Sequence, residues 1–108
     1  MFGILKRNDI NAGIDEFKAT AGAVLLDVRT KDEYQSGHVP GSKNIDAGEI
    51  EKTVSVVSDK VTPLFVHCLS GARSGRAVST LKNMGYTNVK NIGGISTYTG
   101  PVERGTGS

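Results

Sequence analysis

Apolar runs alternate along the chain with amphipathic stretches, which predicts strands and helices that follow one another in turn. Residues 23–28 and 64–66 are short, nearly continuous apolar runs, as expected of strands buried on both faces of a sheet. Residues 42–45 predict a brief strand and residues 87–92 a last one. This order is typical of an α/β fold with a central, mostly parallel sheet and helices on both faces.

Capping residues mark the starts of the first two helices. Asp9 or Asn11 can cap a helix that begins near residue 10. Thr30 and Glu33 have the spacing of a capping box, in which a hydroxyl and a carboxylate each bond a backbone N–H of the first turn. A glycine-rich turn over residues 37–41 ends this second helix.

A third helix is predicted after residues 46–49, which repeat the capping pattern. Ile50, Val54 and Val57 follow at i, i+4 and i+7. This spacing predicts a helix with one apolar stripe against the core.

The one cysteine, Cys68, lies where a strand is predicted to end and a helix to begin. The helix is predicted from Arg76 onward by apolar residues at helical spacing, and Gly85 ends it. Gly71, in the loop between, can orient successive backbone N–H groups toward one point. Those N–H groups and the positive end of the helix dipole favour a thiolate. The pattern therefore predicts a nucleophilic cysteine in an anion-binding loop.

Composition limits the other functions. The chain has 108 residues, enough for one domain, and a single cysteine excludes an internal disulfide and a zinc cluster of the usual cysteine spacing. A net charge of +2 without a Lys/Arg cluster does not indicate nucleic acid binding. Residues 61–108 hold five basic residues against one acidic residue, which favours a small anionic substrate. No apolar run reaches the roughly 20 residues of a membrane span and no secretory signal is visible, so we expect a cytoplasmic protein without membrane contact.

Three segments together resemble the single-domain form of the rhodanese (sulfurtransferase) family. They are residues 26–29 with 33–34 and 37–45, residues 68–74, and residues 85–86 leading to 93–94. The resemblance implies a rhodanese-like domain, which we place at residues 9–102, between an N-terminal extension (1–8) and a disordered tail (103–108). It implies no cofactor and no metal.

The resemblance also implies a chemistry for Cys68. Members of the family take the outer sulfur of a donor such as thiosulfate onto the cysteine as a persulfide, and pass it to a thiol or cyanide. Cys68 is then catalytic, and the loop that follows binds the substrate. The loop residues are Leu69, Ser70, Gly71, Ala72 and Arg73.

This chain departs from many relatives at two places. Tyr98 stands where many have tryptophan after the last glycine pair. Leu69 and Ser70 stand where the two-domain thiosulfate enzymes have two basic residues, so the identity of the donor stays open.

The polar residues near Cys68 in the predicted fold could either bind substrate or support the structure. Arg73 could bind the anionic end of the donor, or pair with a carboxylate such as Glu33 or Asp27 and brace the loop. For Asp27, Arg29, Glu33 and His38 we favour a hydrogen-bonded lattice over substrate contact, and keep Arg29 as a candidate second anion contact. His67 precedes Cys68 on a strand, so its side chain should point away from the sulfur.

Two other functions compete with sulfur transfer from a free donor. Cysteine phosphatases and arsenate reductases have five residues between cysteine and arginine, whereas four separate Cys68 from Arg73, and the tighter loop suits a single sulfur atom better. The other alternative is a persulfide carrier or docking module that a sulfur-delivering partner protein loads.

Overall fold

Four parallel strands form the central sheet of the computed structural model, which describes residues 9–106. They are Val24–Asp27 (β1), Ser42–Asn44 (β2), Leu64–Cys68 (β3) and Val89–Gly94 (β4). Their order across the sheet is β2-β1-β3-β4, and each neighbouring pair is parallel. The four predicted strands and the parallel sheet are confirmed.

Helices cover both faces of this sheet, as predicted. They are Ile10–Ala19 (α1), Lys31–Ser36 (α2), Thr53–Val56 (α3) and Ala72–Asn83 (α4), with 3₁₀ segments at Ala47–Lys52 and Ile95–Thr97. Leu26 and Val66 pack with Leu81 of α4 on one face, whereas Leu25 and Phe65 pack with α1 on the other. Because β1 and β3 are buried on both faces, their sequences read as continuous apolar runs.

The predicted caps of the first two helices are present. The Asp9 carboxylate accepts the backbone N–H of Asn11 at 3.0 Å. The Thr30 hydroxyl accepts from the Glu33 N–H, and the Glu33 carboxylate accepts from the Thr30 N–H, which is a complete capping box.

The third helix differs from its prediction. Residues 47–52 form a 3₁₀ segment with a kink at Glu49, and only Thr53–Val56 is α-helical. A 3₁₀ turn has three residues rather than 3.6, so the apolar positions are displaced. As a result Ile50 and Val57 are buried but Val54 is exposed. The predicted single stripe was wrong at Val54.

The helix after the cysteine begins at Ala72. The sequence predicted its start four residues later, at Arg76. Gly71 is the N-cap of α4 and has left-handed backbone angles (φ 106°). The first turn of α4 is mainly small and polar, so hydrophobic spacing gave no signal there. Ala72 and Arg73 therefore belong to the helix rather than to the loop.

The first residues of the predicted disordered tail contact the domain. Glu103 pairs with His38 in an antiparallel bridge, and the Gly105 N–H donates to the Gln35 carbonyl at 2.8 Å. Backbone groups in the last turn of α2 and just after it supply these partners, which the sequence does not reveal. Residues 107–108 and the predicted extension over residues 1–8 lie outside the described residues. The domain boundaries stay a prediction.

Within residues 9–106, no helix is both long enough and apolar enough to cross a membrane.

The packing of α1 on β4 predicts opposite effects for one substitution at two helical glycines. An alanine Cβ at Gly13 would lie 2.4 Å from the Cβ of Ile92, so Gly13→Ala should destabilise the protein by about 1–3 kcal/mol through overpacking. At Gly75, also the fourth residue of its helix, the closest contact would be an ordinary 3.5 Å, and alanine should add about 0.5–1 kcal/mol. Urea unfolding measures both, and destabilisation of equal size at the two sites would contradict this packing.

Candidate active site

The sulfur of Cys68 lies at the carboxyl end of β3, where hydrogen-bond donors converge on it. The Gly71 N–H donates to Sγ at 3.0 Å. The left-handed conformation of Gly71 turns the chain sharply into α4, so the N-terminal end of that helix also faces the sulfur. Cys68 itself is buried, with 1% of its surface exposed. The loop thus directs hydrogen-bond donors toward the sulfur, which is the arrangement that the predicted anion-binding cradle requires.

A second donor, Ser74, was missed by the sequence analysis. Its hydroxyl lies 3.3 Å from Cys68 Sγ, and the residue is completely buried in the first turn of α4. The sequence places Ser74 next to Arg73 in the motif, but its direction depends on where α4 begins. Had the sequence analysis begun the helix at Ala72 rather than at Arg76, it would have placed Ser74 in the first turn, next to the sulfur.

These hydrogen bonds favour the thiolate. Burial raises the pKa of the Cys68 thiol, but donors from Ser74, Gly71 and Ser70 lower it by more, so the net pKa lies below its ordinary value. The thiolate is the nucleophilic form of cysteine, and a lowered pKa increases its fraction near neutral pH.

The end of β4 holds the cradle from the other side. A Cβ on Gly94 would lie 2.1 Å from the Leu69 carbonyl oxygen and 2.5 Å from the Cα of Ser70. The Ser96 N–H donates to the same Leu69 carbonyl at 3.0 Å. Only glycine permits this approach, which explains one residue of the glycine pair in the sequence motif.

Arg73 faces a carboxylate in this structure. Its guanidinium donates to both oxygens of Glu33, at 2.8 and 3.0 Å, and ties the first turn of α4 to α2. This bidentate pair matches the bracing reading of Arg73. Because Arg73 holds Glu33 ionised, the pKa of Glu33 falls from 4.5 to about 2.

Asp27 and Arg29 form a buried ion pair away from the cradle. Arg29 Nη2 lies 2.7 Å from Asp27 Oδ2 and also donates to the Gly37 carbonyl at 2.8 Å. His38 stacks on Tyr34 with ring centroids 3.8 Å apart and shares a hydrogen bond with the Tyr34 carbonyl. These contacts match the lattice reading, and Arg29 has 5% of its surface exposed. Its role as a second anion contact stays a prediction.

His67 is buried on the sheet face opposite to Cys68, as predicted from strand alternation. Its Nδ1 lies 3.3 Å from the Cys68 carbonyl, and its Nε2 lies 3.8 Å from Asp27 Oδ2. Desolvation lowers the pKa of His67, and Asp27 offsets only part of that effect. Because its ring lies on the opposite face of the sheet, His67 is not positioned to take a proton from the sulfur.

The remaining loop residues lie at the surface. Leu69, Ser70 and Ala72 are exposed, so their side chains border the cradle while their backbone forms it. An open cleft of about 680 Å³ lies elsewhere, beside β2, and none of residues 68–73 lines it. No group of three metal-ligating side chains occurs in the part of the chain that the structure describes.

Gly94→Ala should displace the cradle, because the new Cβ would overlap the backbone of Leu69 and Ser70. We expect alkylation of Cys68 by iodoacetamide at neutral pH to slow by at least about tenfold, the effect of one pKa unit on the thiolate fraction. Gly48→Ala is a control, since the nearest atom to a Cβ there is at an ordinary contact distance of 3.5 Å. Unchanged alkylation in a folded Gly94→Ala variant would contradict the close approach.

Glu33→Gln should destabilise the protein in a pH-dependent way. Glutamine can still accept the Thr30 N–H but loses the charge that pairs with Arg73. Because the folded-state pKa of Glu33 is depressed to about 2, its contribution is complete above 4.5 and is lost as the pH falls toward 2. Urea unfolding of both proteins across this range should show a difference that shrinks with acid. A constant difference would contradict the ion pair.

Comparison with known proteins agrees with this geometry. The profile of the rhodanese-like domain matches residues 9–100. The thiosulfate sulfurtransferase PspE of Escherichia coli is 40% identical over 81 residues, which cover 74% of this chain and 78% of that protein. The putative sulfur carrier protein YrkF of Bacillus subtilis is 36% identical over 80 residues, 73% of this chain and 43% of that protein.

The fold of this chain is also similar to that of a solved rhodanese structure. A structure of rhodanese with anions from E. coli superposes with a TM-score of 0.72 at 38% identity, and covers 77% of this chain and 99% of that one. The sheet order, the cysteine loop and these matches over most of the chain agree. The chain belongs to the rhodanese-like domain family.

Proposed function

We propose that this chain is a sulfurtransferase that carries a sulfane sulfur on Cys68. The observation that carries the proposal is the buried sulfur with a backbone N–H at 3.0 Å and a hydroxyl at 3.3 Å. A relative 40% identical to this chain is named a thiosulfate sulfurtransferase, which supports the same class of activity here.

In the proposed reaction the Cys68 thiolate attacks the outer sulfur of a small anionic donor such as thiosulfate. The new S–S bond forms as the bond to the sulfite sulfur breaks, and sulfite leaves with the electron pair. The persulfide then lies in the cradle, where Gly71 and the helix N-terminus offset its negative charge. An acceptor thiolate or cyanide attacks the outer sulfur, and Cys68 leaves as the thiolate.

The position of Arg73 affects how the cradle would bind an anionic donor. Its guanidinium is committed to Glu33, so the cradle binds an anion through peptide dipoles and a hydroxyl rather than through a free side-chain cation. We propose that Leu69 to Ala72 bind substrate through their backbone and that Arg73 braces them. A cytoplasmic location is part of this proposal, because a reducing compartment suits a lone reactive thiol.

A persulfide carrier loaded by a partner protein is the second candidate. Leu69 is 44% exposed next to the sulfur and offers an apolar contact for a protein surface. A relative named as a putative sulfur carrier favours the same reading. An oxyanion enzyme is less favoured, because the four-residue spacing leaves a tighter loop and Arg73 faces Glu33.

Cys68→Ser should abolish sulfur loading. We expect wild-type protein incubated with thiosulfate to gain the mass of one sulfur atom, lose it with a reducing thiol, and show no gain as Cys68→Ser. The variant should remain folded, since serine has the shape of cysteine and its slightly smaller hydroxyl can accept the same Gly71 N–H. Intact-protein mass spectrometry measures the gain, and thermal unfolding checks the variant.

The outcomes separate the candidates. Loading followed by turnover with cyanide supports a free-donor enzyme, whereas loading from a cysteine desulfurase with poor thiosulfate turnover supports a carrier. A mass gain retained in Cys68→Ser would overturn both. No gain from either donor would also overturn them, and phosphatase and arsenate assays would then test the oxyanion alternative.

A further inference from the structure

The hydroxyl of Ser74 has one proton and several acceptors within reach. Its Oγ is 2.8 Å from Asn91 Oδ1, 3.1 Å from the Gly71 carbonyl, 3.3 Å from Cys68 Sγ and 3.5 Å from the Gly93 carbonyl. A hydroxyl donates one hydrogen bond at a time, so these acceptors compete. The groups that occupy the competing acceptors therefore decide whether the proton is free to stabilise the sulfur.

Asn91 controls two of these acceptors. Its Nδ2 donates to the Gly71 carbonyl at 3.2 Å, and its Oδ1 accepts the Gly93 N–H at 3.0 Å. The two bonds fix the orientation of the amide, because the flipped amide would face a carbonyl with its oxygen and an N–H with its nitrogen. The amide oxygen is therefore the atom that meets Ser74.

An irregularity in β4 places Asn91 there. Val66 pairs with Asn91, but the next residue of β3, His67, pairs with Gly93, so Ile92 is an extra residue in β4. This bulge turns the Asn91 side chain toward the first turn of α4, where a Cβ on Gly75 would lie 3.5 Å from Nδ2. Asn91 thus joins the last strand, the cradle and the helix that follows it.

We propose that Asn91 is a positioning residue for Cys68 and acts through Ser74, a proposal that rests on the proposed role of Cys68 as the sulfur-carrying nucleophile. With a neutral thiol, Ser74 donates to Asn91 Oδ1, its shortest contact. When the thiol loses its proton to solvent, the charged sulfur is the stronger acceptor and the hydroxyl rotates to it. The Gly71 carbonyl does not divert the hydroxyl, because the Gly75 N–H at 3.1 Å and Asn91 Nδ2 at 3.2 Å already occupy its two lone pairs.

This arrangement predicts what happens without the amide. In Asn91→Ala the Gly71 carbonyl keeps the Gly75 N–H but loses the Asn91 donor. With a neutral thiol, the Ser74 hydroxyl then turns to this carbonyl at 3.1 Å in place of Asn91 Oδ1 at 2.8 Å, a weaker competitor for the proton, so the pKa of Cys68 falls. In Asn91→Asp the carboxylate retains the hydroxyl proton, so the pKa of Cys68 rises.

The experiment is a double-mutant cycle read by the pH dependence of Cys68 alkylation with iodoacetamide. Each Asn91 substitution is made in the wild-type chain and in the Ser74→Ala variant. We expect Asn91→Ala in the wild-type chain to speed alkylation up to about tenfold below the midpoint, a fall of up to about one pKa unit, and to have little effect in the Ser74→Ala variant. Asn91→Asp adds a charge in both backgrounds, so its shift should be larger when Ser74 is present.

The other ionisable groups at the carboxyl ends of the strands and on the adjoining helices stay unchanged in every variant. They include Asp27, Arg29, Glu33, His67, Arg73, Arg76 and Lys82. Their effect on the pKa of Cys68 is therefore common to all arms of the cycle.

Equal shifts in the two backgrounds would overturn the proposal, since Asn91 would then act on the fold and not through Ser74. No shift in either background would overturn it as well. Asn91→Asp, nearly the same size as asparagine, keeps the test available if Asn91→Ala fails to fold. Alkylation needs no sulfur donor, so this result is independent of the mass gain that tests the proposed function.

Discussion

The arrangement of this site follows from the difficulty of keeping a negatively charged sulfur in a buried position. Desolvation alone would hold the Cys68 thiol neutral. Hydrogen-bond donors offset that cost. Because the chain turns directly from β3 into α4, the Gly71 N–H and the Ser74 hydroxyl face the sulfur at 3.0 and 3.3 Å. The surrounding elements hold these donors in place.

Two elements provide that support in different ways. The end of β4 approaches the loop so closely that Gly94 has no room for a side chain against Leu69. The helix α2 contributes Glu33, whose bidentate pair with Arg73 holds the first turn of α4. Each partner is 31% exposed, and pairs of that kind contribute about 0–1 kcal/mol, so this contact serves geometry more than overall stability.

The same ion pair limits what the cradle can recognise. Arg73 faces Glu33, and Arg29 is buried against Asp27, so both arginines are paired with carboxylates. In the proposed function, the anion is therefore bound by peptide N–H groups, which do not select a particular oxyanion. The exposed side chain of Leu69 is the apolar surface that the proposal assigns to a donor or acceptor.

Local sequence determined much of this protein. The apolar runs of β1 and β3 and the capping box at Thr30 are local signals, and each element formed where its own residues predicted it. The placement of Cys68 at a strand end followed from the same signals. In the 3₁₀ segment before α3 the helical spacing of the sequence does not apply, so it wrongly predicted that Val54 is buried.

Tertiary structure decided the partners. Glu33 and Arg73 lie 40 positions apart, and Asn91 lies 17 positions from Ser74. The sequence offered Glu33 and Asp27 alike as partners for Arg73 and gave no partner for Ser74, because no local pattern links such distant residues. Their contacts depend on the sheet order, on the bulge in β4 and on α4 beginning at Ala72. The sequence by itself determined that Cys68 lies in the turn between a strand and a helix, because an apolar run, a glycine and helical spacing are local properties. Only the packed chain decided which side chains direct their protons toward that sulfur, because those groups meet after distant segments come together.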